Sequence, residues 1–141
     1  MTTDYWTGPA RDLATTAHGW AGVWTLTYAT GLALQRVAGV VGWDEDLTAT
    51  YAGLDVALAT SELAWADPSV ATLGGPVDLG PAVPSERSAA VSVVLELLER
   101  SLKLLSALIA DPTTPGGRVL SGTRALALLI SADQTLRAGQ P

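Results

Sequence analysis

Apolar side chains recur along this chain at helical rather than strand spacing. From Pro9, a residue suited to the first helical position, Leu13, Ala17, Trp20, Val23, Trp24, Thr27, Gly31, Leu34 and Ala38 fall along one stripe at 100° per residue. They predict a first helix over residues 9–41. Gly19, Gly22 and Gly31 interrupt it, and each interior glycine costs about 1 kcal/mol relative to alanine, so the helix either breaks there or gains from close packing. Asp44-Glu45-Asp46 supplies an N-cap and negative charge for a second helix over 47–66, which Asp67-Pro68 ends. Its apolar stripe is Leu47, Tyr51, Leu54, Leu58 and Trp65, with Asp55 and Glu62 at the margin.

Residues 67–84 carry Pro68, Pro76, Pro81 and Pro84 with Gly74, Gly75 and Gly80, the composition of a connector without regular structure. Ser85 then offers an N-cap for a third helix over 86–110, striped by Val91, Val94, Leu95, Leu98, Leu102, Leu105 and Ile109. Val93, Leu97, Leu104 and Leu108 widen its apolar arc to about 200°, where one buried face needs about 100°. This helix must meet two or three neighbours. Asp111-Pro112 and Gly116-Gly117 turn the chain into a fourth helix over 118–137, with Val119, Leu126, Leu129, Ile130 and Leu136 on its stripe. No strand pattern competes. The expected fold is all-α, a single domain over 1–141: a four-helix bundle running up-down-up-down, two helical hairpins joined by the Pro/Gly-rich loop.

Composition sharpens this picture. Apolar residues make up 48% of the 141 and charged residues 16%, which excludes a disordered chain and leaves a surface short of charge. The absence of cysteine removes disulfide frameworks, thiolate nucleophiles and zinc-finger ligand sets; a single histidine argues against histidine-rich metal centres. The net charge of −6 disfavours nucleic acid as a partner. That charge is uneven: residues 37–86 hold eight acids (Asp44, Glu45, Asp46, Asp55, Glu62, Asp67, Asp78, Glu86) and no lysine or arginine. A basic partner would suit this segment. The stretch between Asp12 and Arg36 is uncharged but broken by threonines, His18 and Gln35, so it reads as a helix covered by protein rather than a membrane span. The amino terminus lacks the pattern of a secretory signal, which points to the cytoplasm. Seven arginines to one lysine, with much alanine and leucine, suit a GC-rich bacterial genome.

Candidate chemistry is sparse. His18 projects away from Trp20 and Trp24 and reads as a surface residue. Asp55 with Glu62, and Asp133 set among Leu126, Leu129, Ile130 and Leu136 with Arg137 one turn on, are the candidate functional acids; a polar rim and a structural ion pair are their plainer readings. The Glu-x-x-His spacing of di-iron bundles is absent, so no metal and no cofactor are expected, and no catalytic residue is assigned. All eight aromatics precede residue 66, and Trp20, Trp24, Tyr28, Tyr51 and Trp65 could line one pocket for an apolar small molecule. The leading expectation is a non-catalytic interaction or accessory protein, oligomeric or bound to a protein partner through Val93, Leu97, Leu104 and Leu108. A ligand-binding bundle, or enzyme, and an assembly subunit are the alternatives.

Overall fold

A computed structural model describes residues 7–74 and 86–139. The chain is all-helical there: α1 Thr7–Thr16, α2 Gly19–Gly39, α3 Thr48–Ala66, α4 Ser69–Gly74, α5 Arg87–Ala110 and α6 Gly116–Ala138.

The expected first helix is two. His18 is extended (φ −152°, ψ 156°) and Gly19 takes φ +68°, a left-handed conformation that a helix cannot continue through and that glycine adopts without a Cβ clash. Helix α1 therefore folds back from α2 and lies along α5, where Ala10 and Ala14 border Val93 and Leu97. Arg100 of α5 fastens the bend, its Nε donating to the carbonyl of Ala14 at 2.9 Å and its Nη2 to that of Ala17 at 3.5 Å. These are terminal carbonyls that α1 cannot satisfy internally. Further along, Gly22 lets the bend close up, since a Cβ there would stand 3.0 Å from the Ala17 carbonyl carbon.

Helix α3 begins where Asp44 and Asp46 gather its free N–H groups. Asp44 accepts from the backbone of Ala49 at 2.7 Å and of Thr50 at 3.2 Å, and Asp46 accepts from that of Thr48 at 3.2 Å. The expected capping acids act, but through Leu47 held at φ +63° rather than by opening the helix directly. At the other end Asp67 accepts from Ser69 and starts α4, so the connector contains a short helix. Ser85 and the Pro76, Pro81 and Pro84 portion of that connector lie outside the described residues.

The order of directions also departs from expectation. Gly31 faces Val56 and Gly53 faces Leu34, so α2 and α3 are antiparallel. Ser121 bonds the Glu62 carbonyl near the start of α6 and Gly139 lies on Thr48 at its end, so α3 and α6 are antiparallel. Arg87 donates to the Trp43 carbonyl at 2.8 Å while Arg100 reaches Ala14, so α5 starts beside the end of α2 and runs against it. The sequence of the four long helices is thus up-down-down-up, not up-down-up-down. Between α3 and α5 the chain returns from one end of the molecule to the other. Roughly 3.3 Å per residue gives a connector of this length ample reach past a helix rising 1.5 Å per residue, so length alone allowed either order.

The core runs down the middle of α2, α3, α5 and α6, filled by Leu26, Leu34, Leu97, Leu98, Leu105, Leu129 and Leu136. Thr27 and Thr30 are buried in it yet satisfied, donating to the carbonyls of Trp24 and Leu26 in their own helix. That accounts for a threonine-rich α2 whose one charged residue is Arg36 in its last turn. No helix is long and apolar enough to cross a membrane among the described residues.

Two stripes change place. Val93 and Leu97 are core residues, 4% and 1% exposed, and Leu104 and Leu108 are half-buried against the same core. The wide arc of α5 is used within the chain because α1 adds a neighbour to α2 and α6. Conversely, α3 turns Ala49, Ala52, Val56, Ala59 and Leu63 inward and leaves Leu47, Tyr51, Leu54, Leu58 and Trp65 outside. Alanines on α3 and Ala125 and Ala132 on α6 suit a close approach of the two helices, which larger inward residues would hold apart.

Candidate functional site

The outward face of α3 is the largest departure from a polar exterior. Tyr51, Leu54 and Leu58 are each 57% exposed and Trp65 is 87% exposed, with Leu47 at the head of the same line. Positions 47, 51, 54, 58, 61 and 65 alternate steps of four and three, the 3.5-residue repeat with which one helix seats another. Ser61 is the one small polar member. At 1.5 Å per residue the strip is about 27 Å long. Exposed Glu45 and Asp46 precede Leu47 at one end, whereas at the other Arg118 and Arg124 of α6 border a hollow shared with Trp65 and Leu120 and are paired with Asp67 and Glu62.

Beside this strip, α2 and α3 frame a groove of about 350 Å³. Trp24 and Tyr28, one turn apart on α2, stack with ring centroids 5.1 Å apart and planes within 8°. Gly31, Ala57 and Ala64 provide the small residues that hollow the groove, and Gln35, Thr60 and Ser61 add polar groups.

The five aromatics expected in one pocket are therefore divided. Only Trp24 and Tyr28 line the groove; Tyr51 and Trp65 stand on the outward face of α3. Trp20 packs on the other side, over Gly122, where a Cβ would come within 3.0 Å of its ring. The Arg118 guanidinium lies 5.6 Å from that ring and pairs with Asp67, a cluster that ties the end of α3 to the start of α6. Sequence reading missed this cluster, since residues 20, 67 and 118 share no pattern.

The candidate acids do not converge. Glu62 is pinned by Arg124 at 3.4 Å and lies 3.4 Å from the Ser121 hydroxyl, while Asp55 is half-buried one heptad earlier. Asp133 accepts from Arg137 Nε at 2.9 Å through Oδ2, and its Oδ1 is buried without a hydrogen-bond partner. His18 is exposed, its Nδ1 3.2 Å from the Thr16 carbonyl. Among the described residues no three His, Asp or Glu side chains gather into a metal-holding group. Comparison with protein-family models, characterised proteins and solved structures yields no match to this chain.

Proposed function

We propose that this chain is a non-catalytic helical interaction protein whose contact surface is the outward face of α3. The observation that supports it is the exposed, heptad-spaced line of Leu47, Tyr51, Leu54, Leu58 and Trp65. Contiguous apolar surface of this kind marks association sites, and its 3.5-residue period suits a facing helix. The interaction role anticipated for Val93 and Leu97 passes to α3, because those two fill the chain's own core.

The test is native mass spectrometry of the full chain purified gently from its host, alongside the Leu54→Glu, Leu58→Glu double variant. A multiple of the 14.5 kDa mass, or an added polypeptide, lost in the variant with helical circular dichroism unchanged, is the expected result. A monomer without companion in both samples overturns the reading.

The stacked Trp24–Tyr28 wall favours a second reading, an apolar small molecule held between α2 and α3. Titration with a medium-chain fatty acid should then quench tryptophan fluorescence saturably and Gly31→Leu should abolish the response; a linear, unsaturable change rejects it.

A further inference from the structure

The bend between α1 and α2 is held by side chains that take the place of backbone N–H groups. In an unbroken helix the carbonyls of Ala14, Thr16 and Ala17 would accept from the N–H groups of His18, Trp20 and Ala21, four residues on. In the bent chain Arg100 reaches the first and last of these carbonyls, at 2.9 and 3.5 Å, and His18 Nδ1 lies 3.2 Å from the second. Bent and straight forms would therefore satisfy the same acceptors from different donors. We propose that α1 is a hinged latch over α5. It is closed in the bent form, and it opens by straightening residues 17–22, which joins α1 to α2 in one helix and uncovers Val93 and Leu97.

The sequence suits both forms. Leu13, Ala17, Trp20, Val23 and Trp24 keep one helical stripe across the break, so α1 and α2 are patterned to become continuous. Gly19 is the hinge: its φ of +68° belongs to the bent form, and nothing lies within 4 Å of where a Cβ would stand, so neighbours do not wedge the pivot in place. Gly22 serves the bend alone. A Cβ there would stand 3.0 Å from the Ala17 carbonyl carbon across the bend, whereas in one continuous helix it would project from the helix like any other. A hollow of about 410 Å³ lined by Leu13, Thr16, His18, Ala21 and Thr25 leaves the bend loosely packed on that side.

Little holds α1 down apart from Arg100. Among the described residues α1 touches only α5 and α2, and Ala10 and Ala14 are the residues that border Val93 and Leu97. Alanines bury little apolar area, so the Arg100 contacts form a large share of what keeps the latch shut. Val93 and Leu97, 4% and 1% exposed, belong to the wide apolar arc of α5, and this part of the arc reaches solvent only in the open form. The latch stands apart from the α3 surface proposed above, since α1 does not touch α3.

Two measurements on the full chain test this. Spin labels on Asp12→Cys and Gln35→Cys, both exposed and in a chain with no cysteine of its own, read the hinge by pulsed electron paramagnetic resonance. One continuous helix would set them about 35 Å apart, at 1.5 Å per residue, and the bent form brings them closer because α1 runs back along α5. The short distance should dominate with the native hinge. Gly19→Ala and Arg100→Met should each raise the ratio of long to short distance about tenfold, and Gly22→Ala should move it in the same direction. In the second measurement a thiol under the latch, Val93→Cys, should react with a small alkylating reagent under native conditions at least about tenfold faster than Val56→Cys, which is also buried but lies on α3. Arg100→Met should speed only the first. Equal labelling rates or a short distance in every variant overturns the proposal. So does a broad distribution without the long component, because α1 would then be unravelling instead of joining α2.

Discussion

Helices α3 and α5 carry similar amounts of apolar sequence and use them in opposite ways. Helix α5 has the broader arc, yet Val93 and Leu97 are buried because α1 bends back over them and Arg100 fastens it there. Helix α3 has an ordinary single stripe of large residues, yet its buried side is built mainly of alanines and the large residues face out. The width of an apolar arc therefore measures how many neighbours a helix needs, not whether they come from another chain. What marks α3 as a contact surface is the mismatch between its largest apolar residues and the side on which its neighbours pack.

The largest test of that contrast compares equivalent truncations. Leu97→Ala should cost about 3 kcal/mol, by lost burial and a residual cavity, whereas Leu58→Ala should stay within about 0.5 kcal/mol in the monomer. Urea unfolding monitored by circular dichroism measures both, in a background where association is suppressed. Equal losses would mean that Leu58 is packed inside and the contrast is false.

Next comes the bend that gives α5 its extra neighbour. Gly19→Ala should destabilise the protein by about 1–2 kcal/mol, since φ +68° is strained for alanine although no atom would obstruct its Cβ. In an unbroken helix the same change would stabilise by about 1 kcal/mol. The sign of the shift in the unfolding midpoint decides between them.

The smallest effects lie at the start of α3 and the end of α5. The hydrogen bonds from Thr48 hold the Asp46 carboxyl below its usual value of 3.8, and those from Thr113 do the same for Asp111. The folded form of each binds its proton less readily than the unfolded form. Their stabilisation is therefore complete above the unfolded value and is lost as pH falls through the lower folded one. Asp46→Asn and Asp111→Asn should each flatten the acid limb of a stability profile below about pH 4. An unchanged acid limb would show that these caps contribute nothing to the pH dependence.

The sequence by itself determined the helical class, the positions of α3, α5 and α6 to within a few residues, and the Asp67-Pro68 and Asp111-Pro112 stops. These are local matters: periodicity, capping acids, prolines and composition act within a few residues of themselves. Gly19 also marked the place where the first helix breaks, although glycine alone left open whether it would break or pack. Only the tertiary structure decided the rest. Which side of α3 faces inward depends on how closely α6 approaches, and alanine and leucine stripes look equally apolar until the partner's spacing is known. The direction of α5 depends on whether a long connector turns or crosses, and its reach permits both. The joining of Trp20, Asp67 and Arg118, and the separation of Trp24 and Tyr28 from Tyr51 and Trp65, follow from those two long-range choices, which no local pattern encodes.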